Sequence, residues 1–158
     1  MTKTNAMRLL DQQKISYETA AYDYDENNLS GVHAANAIGL PPEQVFKTLV
    51  TKGDKTGILV FCIPVASELD LKKAASVSGN KKVEMTHVKE LLGLTGYIRG
   101  GCSPIGMKKK YTTYIDQTAF LFDKIAVSAG TRGQQILLCP KPLMSLIQAK
   151  QADVTKKS

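Results

Sequence analysis

Residues 45–65, VFKTLVTKGDKTGILVFCIPV, constrain the fold more than any other part of the chain. Two β-branched, apolar halves flank a turn containing Gly53 and Asp54, the pattern of an antiparallel hairpin. The second half, ILVFCI, is apolar at consecutive rather than alternate positions, so it needs cover on both faces. The hairpin is therefore expected at the centre of a sheet. In the first half, strand alternation turns Lys47 away from Phe46 and Thr48, either toward a pocket or onto a wet sheet face.

Elsewhere helical and strand patterns alternate. Met7, Leu9 and Leu10 predict a first helix over residues 3–13, and ISYETAAYDY (15–24) reads as a strand before the turn DENN. SGVHAANAIGL (30–40) places Val32, Ala35 and Ile38 on one helical face, closed by Gly39 and followed by Pro41 and Pro42. SELDLKKAASVSG (67–79) starts as a capped helix at Ser67, and THVKELLGL (86–94) has Thr86 as its candidate cap. TTYIDQTAFLF, KIAVSAG and QILLCP predict strands or a strand with a helical turn, and PKPLMSLIQAK a terminal helix with proline in its first turn. The mixture predicts an α+β fold around a mixed sheet. A length of 158 residues with 43% hydrophobic residues suits one domain spanning 1–158.

Several classes are disfavoured. No run approaches a membrane-spanning length, and the N-terminus lacks a signal-peptide pattern, so a cytoplasmic protein without membrane contact is expected. Cys62, Cys102 and Cys139 are an odd count without metal-ligand spacing, so free thiols and no metal are expected. The net charge of +7 is concentrated in residues 47–110, which hold 12 basic and 5 acidic side chains. Lys72, Lys73, Lys81, Lys82 and Lys108, Lys109 and Lys110 suit nucleic-acid phosphates, or a solvated lysine surface.

Cys102 invites a thiol nucleophile with His33 or His87 as base. No third group orients either histidine, and a small loop thiol is the better reading. Cys62 reads as a buried small hydrophobe and Cys139 as a strand-end residue. GGCSP and SAGTRG are glycine loops whose amides can face an anion or a carbonyl oxygen. Gly101 and Gly106 carry Walker-type glycine spacing, but Met107 stands where the lysine is required.

The ordered set FKTLV, LKKAA, KKVEM, TGYIRGGCSPIGMKK and VSAGTRG resembles the YbaK/EbsC family of aminoacyl-tRNA deacylases over nearly the whole chain. The resemblance implies a mixed, β-barrel-like sheet surrounded by helices. It also implies the freestanding branch that clears cysteine from Cys-tRNA(Pro), with members acting also on Cys-tRNA(Cys). The family's pocket lysine falls on Lys47. Its GxxxP loop falls on Gly100, Gly101, Cys102, Ser103 and Pro104, and its second loop on residues 128–133, with Ser128, Gly130, Arg132 and Gly133. Tyr22 matches a pocket tyrosine. Some relatives carry an aromatic residue where this chain reads LSG, and an acidic one where it has Gln134 and Gln135; both departures bear on substrate choice.

The implied chemistry needs no cofactor and no enzyme nucleophile. The substrate cysteine's thiol attacks its own ester carbonyl, an intramolecular step that good orientation favours by about 7–11 kcal/mol. Amides of the 100–103 loop would hold the developing oxyanion, and Lys47 the terminal adenosine or its phosphate. The implied partners are charged tRNA and a prolyl-tRNA synthetase that presents it. Alternatives are a deacylase for alanine or serine, and a non-catalytic RNA-binding module.

Overall fold

The hairpin organises the larger of two sheets. In the structure, a computed structural model that describes residues 3–157, β2 (Phe46–Gly53) and β3 (Gly57–Pro64) pair antiparallel from Phe46↔Pro64 to Gly53↔Gly57. The turn is fixed by two side chains: Asp54 Oδ1 accepts from the amides of Lys81 and Lys82, and Asn80 Oδ1 from those of Lys55 and Thr56. β3 is buried from Leu59 to Pro64, as its unbroken apolar run predicts.

The other elements in chain order are α1 (Asn5–Gln12), β1 (Glu18–Ala21), α2 (Gly31–Ile38), α3 (Leu71–Ser78), β4 (Val83–Met85), α4 (Val88–Thr95), β5 (Thr112–Asp116), β6 (Ile125–Ser128), β7 (Gln134–Leu138), α5 (Pro140–Leu146) and β8 (Lys150–Ala152). The five-stranded sheet runs β4-β2-β3-β5-β8, with β3, β5 and β8 parallel; the antiparallel three-stranded sheet runs β1-β7-β6. The α+β expectation is met. The strands lie in two sheets and form no closed barrel among the described residues.

Each face of the hairpin covers a core. Phe46 and Cys62 join α1, β6, β7 and α5 around Met7, Leu10, Ile115, Ile136 and Leu143. On the opposite face Leu59, Phe61 and Ile63 pack with Ala74 and Ala75 of α3, and Phe61 stacks on Tyr114 with ring centroids 5.4 Å apart. A third, smaller cluster of Ala35, Val45, Val65 and Ala126 seats α2 over the junction of the two sheets.

Local chemistry corrects several boundaries. The first strand is only Glu18–Ala21, shorter than 15–24. α3 is capped by Asp70 rather than Ser67, because Asp70 Oδ1 accepts from the amides of both Lys72 and Lys73. Thr86 does not cap α4: His87 holds that position without a side-chain bond, and Thr86 Oγ1 donates to the Val50 carbonyl. α2 buries Ala34 and Ala35, while Val32 is 40% exposed, so this helix is rotated from its expected face. The terminal helix stops at Leu146, and Lys150–Ala152 turns back as a strand beside β5.

Candidate functional site

The site lies where β2 is left unpaired. One edge of β2 carries β3 along its whole length. The other edge touches β6 through a single parallel bridge, Val45↔Ala126, and is rejoined by β4 only at Thr51–Gly53. Between these contacts the ladder has a gap. The Val50 carbonyl faces this edge, since it accepts from the Thr86 amide. By strand alternation the N–H and C=O of Thr48 face it as well.

A cavity of about 370 Å³ occupies the gap. Lys47, Thr48 and Leu49 of β2 line it, together with Ser128 of β6, Gln135 of β7, and Tyr22. Both faces of β2 reach the cavity because it wraps the open edge, which strand alternation alone does not anticipate. Gly31, Val32 and Ala34 of α2 form a wall, and Gly31 stands against Val65 so closely that a Cβ there would overlap it. Arg99, Gly100 and Cys102 close the opposite side.

Tyr97 holds the two glycine loops together. Its hydroxyl donates to the Ile105 carbonyl, and its ring edge would lie 3.0 Å from a Cβ at Gly130. A Cβ at Gly101 would sit 3.2 Å from the backbone of Thr131 and Arg132, so the loops also meet main chain to main chain. Arg132 adds a bond from Nε to the Arg99 carbonyl. At the far end Gly133 has φ +85°, its carbonyl accepts from the Tyr22 amide, and a Cβ would lie 2.9 Å from the Tyr22 oxygen. Only glycine fits that conformation and approach without strain.

Burial sets the electrostatics. It pushes the Cys102 thiol up to about 11, with a smaller opposing pull from Thr95, and the Cys62 thiol up to about 12. Both stay protonated at neutral pH. Neither His33 nor His87 lines the cavity, so Cys102 has no histidine base there. Lys47 is shifted below the usual lysine value by burial, opposed by the charge of Glu68. The lining residues include no aspartate or glutamate.

The structure thus brings Lys47, Tyr22, Gly100, Cys102 and Ser128 into one cavity. Arg132 stands at its rim, against Gly100 and Arg99. Gly101, Gly130 and Gly133 stand behind the wall as loop supports, and the Gly101 amide is already bonded to the Ile98 carbonyl. Ser103 is buried and its Oγ accepts from the Ile105 amide. Pro104, Lys109 and Lys110 line a second cavity, of about 480 Å³, on the other side of the segment. Thr48, Arg99 and Gln135 escaped the sequence reading as lining residues. A lone Thr after Lys47 carries no signal until the gap is seen, and Gln135 stood out only as a departure from relatives that carry an acidic residue there, not as a lining residue. Among the described residues no cluster of three or more His, Cys, Asp or Glu side chains could hold a metal.

The cavity beside the open edge of β2 is thus lined by the basic side chains of Lys47 and Arg99 and by the neutral polar side chains of Thr48, Ser128 and Gln135. Residues 27–146 match the aminoacyl-tRNA editing domain, and the chain belongs to that family. It is 51% identical over 155 residues, 98% of this chain and 94% of the relative, to an Enterococcus faecalis protein named as a candidate Cys-tRNA(Pro)/Cys-tRNA(Cys) deacylase, EbsC. The uncharacterized protein YwhH of Bacillus subtilis is 25% identical over 126 residues, 80% of each chain. A crystal structure of a candidate trans-editing enzyme for prolyl-tRNA synthetase shares the fold, with a TM-score of 0.81 and 24% identity over 99% of this chain and all of that one.

Proposed function

We propose that the protein is an aminoacyl-tRNA deacylase that acts in trans, as one domain, on Cys-tRNA(Pro) and also on Cys-tRNA(Cys). The observation that carries this reading is the near full-length identity to EbsC. The cavity supports it, being small, lined on its floor by Thr48, Cys102, Ser128 and Gln135, and cationic at Lys47 and Arg99.

The cleavage is substrate-assisted. The cysteinyl thiol adds to its own ester carbonyl, a C–S bond forms, and the C–O bond to the tRNA ribose breaks. The thiol proton passes to the ribose oxygen, and water later opens the cyclic thioester to give free cysteine. The protein holds the thiol and carbonyl together and stabilises the oxyanion, and its own Cys102 takes no part. The Gly101 amide is engaged elsewhere and Ser103 does not line the cavity, so the cradle consists of the amides of Gly100 and Cys102. Lys47 holds the terminal adenosine or its phosphate, and Arg99 and Arg132 extend the cationic rim. Lys108, Lys109 and Lys110 are exposed and contribute to tRNA affinity. Prolyl-tRNA synthetase is the partner that presents the charged tRNA, and the reaction is cytoplasmic. Among the described residues no helix is long and apolar enough to cross a membrane.

The deciding assay measures release from tRNA(Pro) charged with cysteine, alanine or serine, with and without prolyl-tRNA synthetase. Fast release of cysteine alone is expected. Preferential release of alanine or serine would reassign the substrate, and binding without release from any of them would leave an RNA-binding module.

A further inference from the structure

The polar floor of the cavity contains groups that the fold leaves unsatisfied. Gln135 is 6% exposed, yet its Oε1 has no hydrogen-bond partner among the described residues. Thr48 Oγ1 also lacks a partner within hydrogen-bond limits, although it faces Cys62 across the strand pair and pulls slightly against the rise of that thiol. Leaving a buried acceptor unpaired costs about 1–3 kcal/mol, so two lining one cavity point to a ligand that completes them. Their placement follows from register. In β7, Ile136 and Leu138 pack into the core beside α1 and α5, so Gln135 turns to the other face, next to its cross-strand partner Ser128. Gln134 Oε1 is also unpaired, but by the same alternation it turns away, and it does not line the cavity.

Gln135 Oε1 is an acceptor only and calls for a donor, whereas the Thr48 hydroxyl can accept or donate. In an aminoacyl ester the carbonyl oxygen cannot serve Gln135, because it accepts. The α-amino group can, since it offers two N–H donors when neutral and three when charged, and it is common to every aminoacyl-tRNA. N-acylation leaves it a single N–H that cannot be charged and adds an acyl group beside it. No carboxylate lines the cavity, so the amine meets neutral acceptors only.

We propose that the Gln135 side-chain amide, together with the Thr48 hydroxyl, binds the free α-amino group of the aminoacyl ester and excludes N-blocked esters. This rests on the reading of the cavity as an aminoacyl site. Gln135 is thus a specificity residue: it reads the amine rather than the side chain of the amino acid.

The test is calorimetric binding of 3′-(L-cysteinylamino)-3′-deoxyadenosine, whose amide resists cleavage, and of its N-acetyl form, both under reducing conditions. Wild type should bind the free amine roughly tenfold or more tightly than the acetylated form, the scale of one hydrogen bond to a charged donor. Gln135→Met should reduce that ratio to about 1 without weakening the acetylated ligand, whereas Gln135→Glu, which keeps an acceptor, should preserve it. Gln135→Met should also melt at or above the wild-type temperature, since it removes an unpaired polar group. Equal binding of the two ligands by wild type, no binding of either, or an undiminished ratio in Gln135→Met overturns the proposal. If Gln135→Met fails to fold, loss of the ratio in Gln135→Glu overturns it. Release from charged tRNA is scored separately. A Gln135-dependent amine preference without release in wild type would refute deacylation and leave this assignment standing.

Discussion

Removing the Tyr97 hydroxyl tests whether one side chain holds the site's loops in place. Tyr97 donates to the carbonyl of Ile105, a residue 1% exposed, and no other donor to that carbonyl is present among the described residues. Burial pushes the phenol up to about 12, so it remains a donor across the ordinary pH range. Tyr97→Phe keeps the ring against Gly130 but leaves the carbonyl unpaired. The net bond is worth about 0.5–1.5 kcal/mol and an orphaned buried acceptor costs about 1–3, which places the loss near 2 kcal/mol. With a urea dependence of about 2 kcal/mol/M, the unfolding midpoint should fall by about 1 M at unchanged slope. Cysteine release should slow, because the loop bearing Gly100 and Cys102 loses an anchor, and the slowing should appear in kcat more than in KM. The pH dependence has a definite sign. Burial raises the folded pKa above the ordinary tyrosine value of 10.0, so wild-type stability supported by this group is full below pH 10 and declines as pH rises toward about 12. Tyr97→Phe should lack that decline. A midpoint within about 0.2 M of wild type would refute the assignment of the Ile105 carbonyl to this phenol.

Three further outcomes are expected. Lys47→Ala should abolish cysteine release in a single-turnover assay; because burial lowers its pKa, wild-type activity should fall on the alkaline side before pH reaches 10.5, and the folding cost of its charged form should be relieved over the same interval. Cys102→Ala should retain most activity, and in wild type iodoacetamide followed by mass spectrometry should label exposed Cys139 well before Cys102, whose thiol is held up to about 11. Gly133→Ala should lower the unfolding free energy by at least about 1–2 kcal/mol, because φ is +85° and the added Cβ meets the Tyr22 oxygen; retention of wild-type stability would show that the loop relaxes freely.

Whatever depended on short-range pattern was legible in the chain. The unbroken run ILVFCI announced a doubly covered strand, and Gly39 marked the end of α2, where it adopts φ +75°. Competition between neighbouring polar residues was not legible: Ser67 and Asp70 both suit a helix start, and the two amides that Asp70 reaches settle the matter. β4 and β8 are three residues each, and only their pairing with β2 and β5 makes them strands. The cavity is of the same kind. Lys47, Tyr22 and the loop cysteine could be named from motifs, but Thr48 and Gln135 come to line one cavity only where β6 and β2 part after a single bridge.

That divergence exposes the protein to a hazard. The main chain of β2 between Val45 and Thr51 is an unfinished edge, able to template a strand from another molecule. A half-buried lysine in the middle of it opposes such pairing, since a second chain docking there would have to desolvate the charge. Lys47, which lines the cavity at this edge, is therefore placed to oppose self-association, apart from the ligand contact proposed for it. Exchanging it for an apolar residue of similar length should reduce colloidal stability even where the folded monomer is unharmed. The opening proposed to admit a substrate is the place where the fold most needs a charge to keep other chains out.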